Sequence, residues 1–441
     1  MKLLNNTILK GTLILSMAGF LSRFIGFVYR IFLSNTLGSH LLGIYQLIFP
    51  LYGICFTIYG AGIQTAISQK IASSMSQKPD STEKQKSILK IGLCLSLSLS
   101  LLLSGIVFLF AEALSNYVIM EKACAPYLRI LCILFPFCGI AACISGYFYG
   151  IQSATPPAVA QIVEQLSRVF FVIVLCTVLE PLPEISCSIA VLGMVIGEIS
   201  GCFYQCFKLK KHFKNVTKKK QETKHASNQI FLSLFALAAS LTGTKLIVTV
   251  LRSVESIFIP AALRKYGYDA QQALEVFGVL SGIAFPFILF PSTITNSFAV
   301  MLLPKIATEK AKDNYSRIKN YTTKSLSYSF LIGVVFLFVF FLFGKPLATM
   351  VFHDPLAGDF IKTLSFLCPF LYVSTTQTSI INGLGKNQFI FFVTVLSLLV
   401  KIYILIALVP IYGIQAYLAG TLICQGMIAL LQQWYLKQQM K

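Results

Sequence analysis

The chain has 441 residues, 56% of them hydrophobic and only 12% charged, with a mean hydropathy of +0.77. That composition excludes an ordinary soluble domain and places the chain among polytopic membrane proteins. A net charge of +20 would suggest nucleic acid in a soluble protein. Here Lys and Arg sit mostly in loops between apolar runs, where they set topology and contact anionic membrane lipid, so no nucleic-acid partner is expected.

A bilayer span needs about 20 residues, and runs of that kind recur twelve times. The first six cover about 8–33, 41–69, 88–110, 126–150, 156–179 and 186–207. After a polar stretch come about 229–258, 274–303, 325–344, 361–383, 388–409 and 413–436. The predicted fold is therefore all-α and polytopic, with about 12 transmembrane helices in two six-helix lobes, 1–207 and 229–441, joined by a basic linker at 208–228. Basic residues gather after span two (Lys70, Lys78, Lys84, Lys86, Lys90), in the linker (Lys208, Lys210, Lys211, Lys214, Lys218, Lys219, Lys220, Lys224) and after span eight (Lys305, Lys310, Lys312, Arg317, Lys319, Lys324). The alternate loops hold Glu112, Glu121, Glu180, Glu184, Asp354 and Asp359. By the positive-inside rule both termini are cytoplasmic, in a multi-pass protein of the plasma membrane. The first apolar run is too long for a cleavable signal peptide and has no clear small-residue site after it, so none is expected.

The first span contains Ser22-Arg23-Phe24-Ile25-Gly26-Phe27-Val28-Tyr29-Arg30. Its two arginines, seven residues apart, return to nearly the same face at about 100° per residue. Each costs about 2.5–3.5 kcal/mol near the bilayer centre. A positive stripe of this kind points to a wet, protein-walled cavity. Arg30, near the end of the span, could instead snorkel to the interface, whereas Arg23 fits the cavity better.

The twelve cysteines lie mostly within spans, without a CxxC pair. Cys202 and Cys206, one helical turn apart, read as packing residues. His40, His212, His225 and His353 are too scattered for a metal site. Gly383-Leu384-Gly385-Lys386 does not match a phosphate-binding loop, so no ATP site or other cofactor is expected. Any directed movement of a solute would then draw on the membrane potential, an ion gradient or consumption of product outside. The chain offers no catalytic constellation and does not read as an enzyme.

The two halves repeat one another. Gly38 and Gly267 close the first and seventh spans, with Arg23 and Arg252 the same distance before them. Gln69-Lys70-Ile71-Ala72 resembles Pro304-Lys305-Ile306-Ala307, and Gly43 and Gly278 stand at matching distances before these motifs. Without a gap, Leu134-Phe135-Pro136-Phe137 matches Leu367-Cys368-Pro369-Phe370, Gly150 matches Gly383, and Arg168 matches Lys401. Six-span repeats share one orientation, which implies lobes related by a pseudo-two-fold axis along the membrane normal. Pro50 and Pro286 also correspond, as do Pro136 and Pro369; each of the four is either a static bend or a hinge. Gly193, Gly197 and Gly201 form a ridge for close packing on span six.

Span seven carries Lys245, Arg252 and Glu255, the last one turn beyond Arg252 and placed to pair with it. Glu164 and Arg168 in span five have the spacing of a structural intrahelical pair. Lys401 has no acidic residue one turn away, and Glu198 either pairs across helices or binds an ion. Taken together, Arg23, Arg30, Lys245 and Arg252 against Glu255 make the expected cavity positive and suited to an anion. Arginine fits phosphate oxygens through its planar, two-pronged donor set.

The first-span pattern, the Lys-Ile-Ala motif, the Arg-x-x-Glu of span seven and the two six-span halves resemble the multidrug/oligosaccharidyl-lipid/polysaccharide (MOP) exporter superfamily. Within it they resemble the branch of stage V sporulation protein B and the MurJ lipid II flippases. The resemblance covers essentially the whole chain and implies alternating access and a polyprenyl-diphosphate-linked sugar as cargo. It places Arg23, Arg30 and Arg252 in the substrate cavity with Glu255 beside the last, and implies cell-envelope synthesis enzymes as partners. Peptidoglycan flippases of this branch usually have fourteen spans against the twelve expected here, which leaves another lipid-linked glycan open. Two other readings stand beside it: a drug/cation antiporter, though spans one and two contain no Asp or Glu, and a non-transporting scaffold for cell-wall or spore-envelope synthesis.

Overall fold

A computed structural model of the chain describes residues 2–77, 82–216 and 227–439. Lys78, Lys218, Lys219, Lys220, Lys224 and His225 of the predicted loops lie outside the described residues. No strand occurs among the described residues. The principal helices are α1 (Lys2–Phe56), α2 (Gly62–Gln77), α3 (Thr82–Leu109), α4 (Phe135–Gly150), α5 (Thr155–Leu179), α6 (Pro183–Val216) and α7 (Ser227–Tyr266). They continue with α8 (Ala270–Gly278), α9 (Ser292–Lys310), α10 (Tyr315–Phe352), α11 (Pro355–Leu364), α12 (Leu367–Gly383), α13 (Asn387–Ala407) and α14 (Ile414–Gln439).

Among the described residues ten helices are long and apolar enough to cross a membrane, or eleven if the pair α11 and α12, bent by 56°, is one span. The first of them, Met17–Met75, has 59 residues. At 1.5 Å per residue it would run roughly 88 Å against a hydrocarbon core of about 30 Å. It therefore holds two crossings, and they part at Gly38, whose φ of 72° and ψ of 170° leave the helical region. With that division, and with the bent pair counted as one span, the number of spans reaches the expected twelve. Gly267, the repeat partner of Gly38, also has a positive φ, 119°, just past the end of α7. A side chain would strain the backbone at both turns.

The chain forms two compact units, Met1–Gly26 with Leu47–Ser253, and Phe27–Gln46 with Val254–Lys441. The divisions fall inside α1 and α7. Each unit has the same internal scheme. In the first, α4 packs on α2, α3 and α6, and α5 lies along α6. In the second, α12 packs on α9, α10 and α14, and α13 lies along α14. The residues at the contacts correspond as well. A Cβ on Gly150 would lie 2.7 Å from the Ile71 Cβ, and one on Gly383 would lie 3.0 Å from the Ile306 Cβ. Ile67, Ile71, Tyr147 and Phe148 belong to the buried core of the first unit, and their partners Leu302, Ile306, Ile380 and Ile381 to that of the second.

Gly193, Gly197 and Gly201 let α5 approach α6: a Cβ on Gly193 would lie 2.2 Å from Val172 Cγ2, and one on Gly197 2.8 Å from the Glu164 carbonyl oxygen. Large apolar side chains face outward, among them Phe170 and Val178 on α5 and Phe338 and Leu342 on α10. Lipid is the solvent that tolerates such a surface.

The four prolines stand beside breaks in α-helix. Pro136 and Pro369 lie in the first turns of α4 and α12, after a 3-10 turn at Cys132–Leu134 and the 56° bend respectively. Pro286 begins a short α segment, Phe285–Leu289, after a π turn at Val279–Ala284. Pro50 lies inside α1, which passes into a π turn at Thr57–Ala61. In a first turn the missing N–H has no intrahelical acceptor to lose. Three of these prolines therefore stand in the first turn of an α segment.

Candidate functional site

Three of the residues expected to bind substrate, Arg23, Lys245 and Arg252, belong to the first unit, and Arg30 and Glu255 to the second. Arg23 and Arg252 are exposed on α1 and α7, and neither has an ion-pair partner among the described residues. Arg30 is half-buried and makes interactions of its own.

Lys245 is also exposed, but its ammonium is engaged. It donates to the Ala61 carbonyl at 2.7 Å and to Thr65 Oγ1 at 2.8 Å. Ala61 ends the π turn that follows α1, where the i→i−4 ladder is interrupted and carbonyls are left for outside donors. Thr249, one turn along α7, meets Thr57 of the same turn at 3.2 Å, and Ser253 donates to the Pro50 carbonyl at 3.0 Å. Residues 245–253 of α7 are thus stitched to residues 50–65 by side-chain hydrogen bonds.

Glu255 does not pair with Arg252. Its Oε1 lies 2.7 Å from Lys401 Nζ on α13 and accepts a hydrogen bond from the Tyr417 hydroxyl on α14, also at 2.7 Å. The Lys401 ammonium further lies over the rings of Tyr417, at 5.1 Å, and Phe285, at 5.8 Å. Lys401, which sequence reading left without an acidic partner, has one from a distant helix. Neither that partner nor Tyr417 was legible, because helical spacing reports neighbours on the same helix alone.

Glu164, Arg168 and Glu198, the other span charges singled out in the sequence, lie in the first unit. Glu164 and Arg168 form the expected intrahelical ion pair. Glu198 accepts a hydrogen bond from the Cys138 thiol at 2.9 Å, and Tyr52 reaches Cys138 Sγ at 3.3 Å. Cys138 and Tyr52 are polar partners that a hydrophobicity pattern does not announce. Among the described residues no group of three or more His, Cys, Asp or Glu is placed to hold a metal ion. Chemically, then, the first unit presents two guanidinium groups within apolar helices that no carboxylate among the described residues neutralises.

The sequence model of the polysaccharide biosynthesis protein family matches residues 8–267, and the MatE model matches residues 246–407. Stage V sporulation protein B of Bacillus subtilis (strain 168) is 26% identical over 427 residues, covering 96% of this chain and 82% of its own. The lipid II flippase MurJ of the same organism is 21% identical over 442 residues, covering 95% and 80%. Among solved structures, an inward-facing multidrug resistance MATE family transporter of the MOP superfamily superposes with a TM-score of 0.76 at 13% identity, over 95% of this chain and 94% of that one. A lipid II flippase MurJ in an inward closed conformation gives a TM-score of 0.71 at 15% identity, over 96% and 87%. The chain belongs to the polysaccharide biosynthesis protein family and has the fold of the MOP-superfamily transporters it superposes on.

Proposed function

We propose that this protein is a flippase that carries a polyprenyl-diphosphate-linked saccharide, a precursor of peptidoglycan or of another cell-envelope glycan, from the inner to the outer leaflet of the plasma membrane by alternating access. The observation that carries the reading is the pair Arg23 and Arg252, exposed within apolar helices and without an ion-pair partner among the described residues. Two such charges cost about 2.5–3.5 kcal/mol each in the bilayer unless water or an anion compensates them. A diphosphate suits them because each guanidinium can donate two parallel hydrogen bonds to phosphate oxygens. The sugar would cross in the polar pathway while the prenyl tail stays in lipid, with both termini in the cytoplasm as the loop charges direct. A relative named as a lipid II flippase, matched over 95% of this chain, supports the same class of cargo.

The test is transport of a fluorescent lipid-linked saccharide in proteoliposomes. The TM-score of 0.76 to a multidrug transporter supports a second reading, drug/cation antiport. Ethidium efflux from the same vesicles separates the two. Flipping without efflux is the outcome expected here.

A further inference from the structure

We infer that Lys401 is a positioning residue for the anion site: it holds Glu255 away from Arg252 and so leaves the Arg252 guanidinium available to a diphosphate. The inference rests on reading Arg252 as an anion ligand. Arg252 and Glu255 stand three residues apart on α7, a spacing at which opposite charges ordinarily pair. Here they do not. Glu255 is 9% exposed, and two donors from other helices, the Lys401 ammonium and the Tyr417 hydroxyl, converge on its Oε1 at 2.7 Å each. The Lys401 end of the pair is fixed in turn by the faces of Tyr417 and Phe285, which attract a cation. Glu255 and Lys401 thus cancel one another, and the positive charge of Arg252 stays uncancelled.

Without Lys401, Glu255 would be a buried carboxylate with no countercharge, a state that is strongly unfavourable. The nearest cation on its own helix is Arg252. An Arg252 drawn back onto Glu255 would no longer offer its charge to a ligand. On this account Lys401 acts on substrate binding without touching the substrate. Its repeat partner Arg168 pairs with Glu164 on its own helix, whereas Lys401 reaches an acid on α7.

The experiment measures binding of farnesyl diphosphate to the purified full-length protein in detergent by calorimetry, with farnesol as the uncharged control. Charge pairs at binding interfaces are coupled by 1.5 kcal/mol or more, which is about tenfold in affinity. Arg252→Ala and Lys401→Met are each expected to weaken farnesyl diphosphate binding about tenfold. Lys401→Arg should bind as the wild type does, and Lys401→Met with Glu255→Gln should recover most of the loss. Farnesol binding should stay constant throughout, which a general loss of structure would not allow. If Lys401→Met does not fold, Lys401→Gln takes its place, since its amide still donates to Glu255 without supplying charge. Wild-type affinity in Lys401→Met, or no recovery in the double variant, overturns the inference while Arg252→Ala remains impaired. Wild-type affinity in Arg252→Ala instead removes the anion-ligand reading, and Lys401 then has nothing to protect.

Discussion

Glu255 Oε1 lies 2.7 Å from Lys401 Nζ and ties α7 to α13 inside the second unit. Both side chains are largely buried, at 12% and 16% exposure, so removal of one charge strands the other. Glu255→Gln or Lys401→Met should each cost about 3 kcal/mol of stability, the range found for broken buried pairs. The double variant should lose much less than the two single losses combined. Thermal unfolding in detergent, read as a double-mutant cycle, checks this coupling.

Lys245 should prove to be a structural residue first. It donates at 2.7 Å to the carbonyl that ends the Thr57–Ala61 π turn and at 2.8 Å to Thr65 on the first turn of α2, and Lys245→Met removes both bonds. Faster amide exchange at residues 57–65, with exchange in α13 and α14 unchanged, is the expected result of deuterium labelling followed by mass spectrometry. Equal exchange in the two proteins would show that the turn does not depend on Lys245.

Glycine positions should divide by what faces them. A Cβ on Gly278 would lie 2.1 Å from the Ser39 carbonyl oxygen, and one on Gly43 2.2 Å from that of Leu274. Backbone atoms cannot yield at such distances, so Gly278→Leu and Gly43→Leu should reduce the yield of folded protein sharply. Gly243, with nothing within 4 Å of its Cβ position, should accept alanine and gain up to about 1 kcal/mol in helix stability. Size-exclusion profiles and unfolding temperatures of the three variants decide the matter.

What the sequence disclosed depends on how local the physics is. Gly38 and Gly267 were legible because a positive φ demands glycine at both ends of the repeat. Gly150 and Gly383 were legible as equivalents, and the structure adds that each packs on the repeat-related isoleucine, Ile71 or Ile306. The spans were legible because bilayer thickness sets their length. The partner of Glu255 was not, since Arg252 is its neighbour by spacing while Lys401 is its neighbour only in the folded unit. Nor was the acceptor of Lys245, a carbonyl at a π turn that no residue type announces. The divisions inside α1 and α7 also leave no mark in composition, because the helix continues through them.

Arg23 and Arg252 are proposed to hold the diphosphate of the cargo together, and transport by substituted protein puts this joint role to the test. Arg23→Ala and Arg252→Ala are reconstituted at matched, folded amounts, and flipping of a fluorescent lipid-linked saccharide is followed in proteoliposomes. Each alanine variant is expected to lose flipping. Arg→Lys at either position should recover part of it, because the charge returns without the planar fork that grips two phosphate oxygens. Flipping at the wild-type rate by folded Arg23→Ala or Arg252→Ala protein would contradict it.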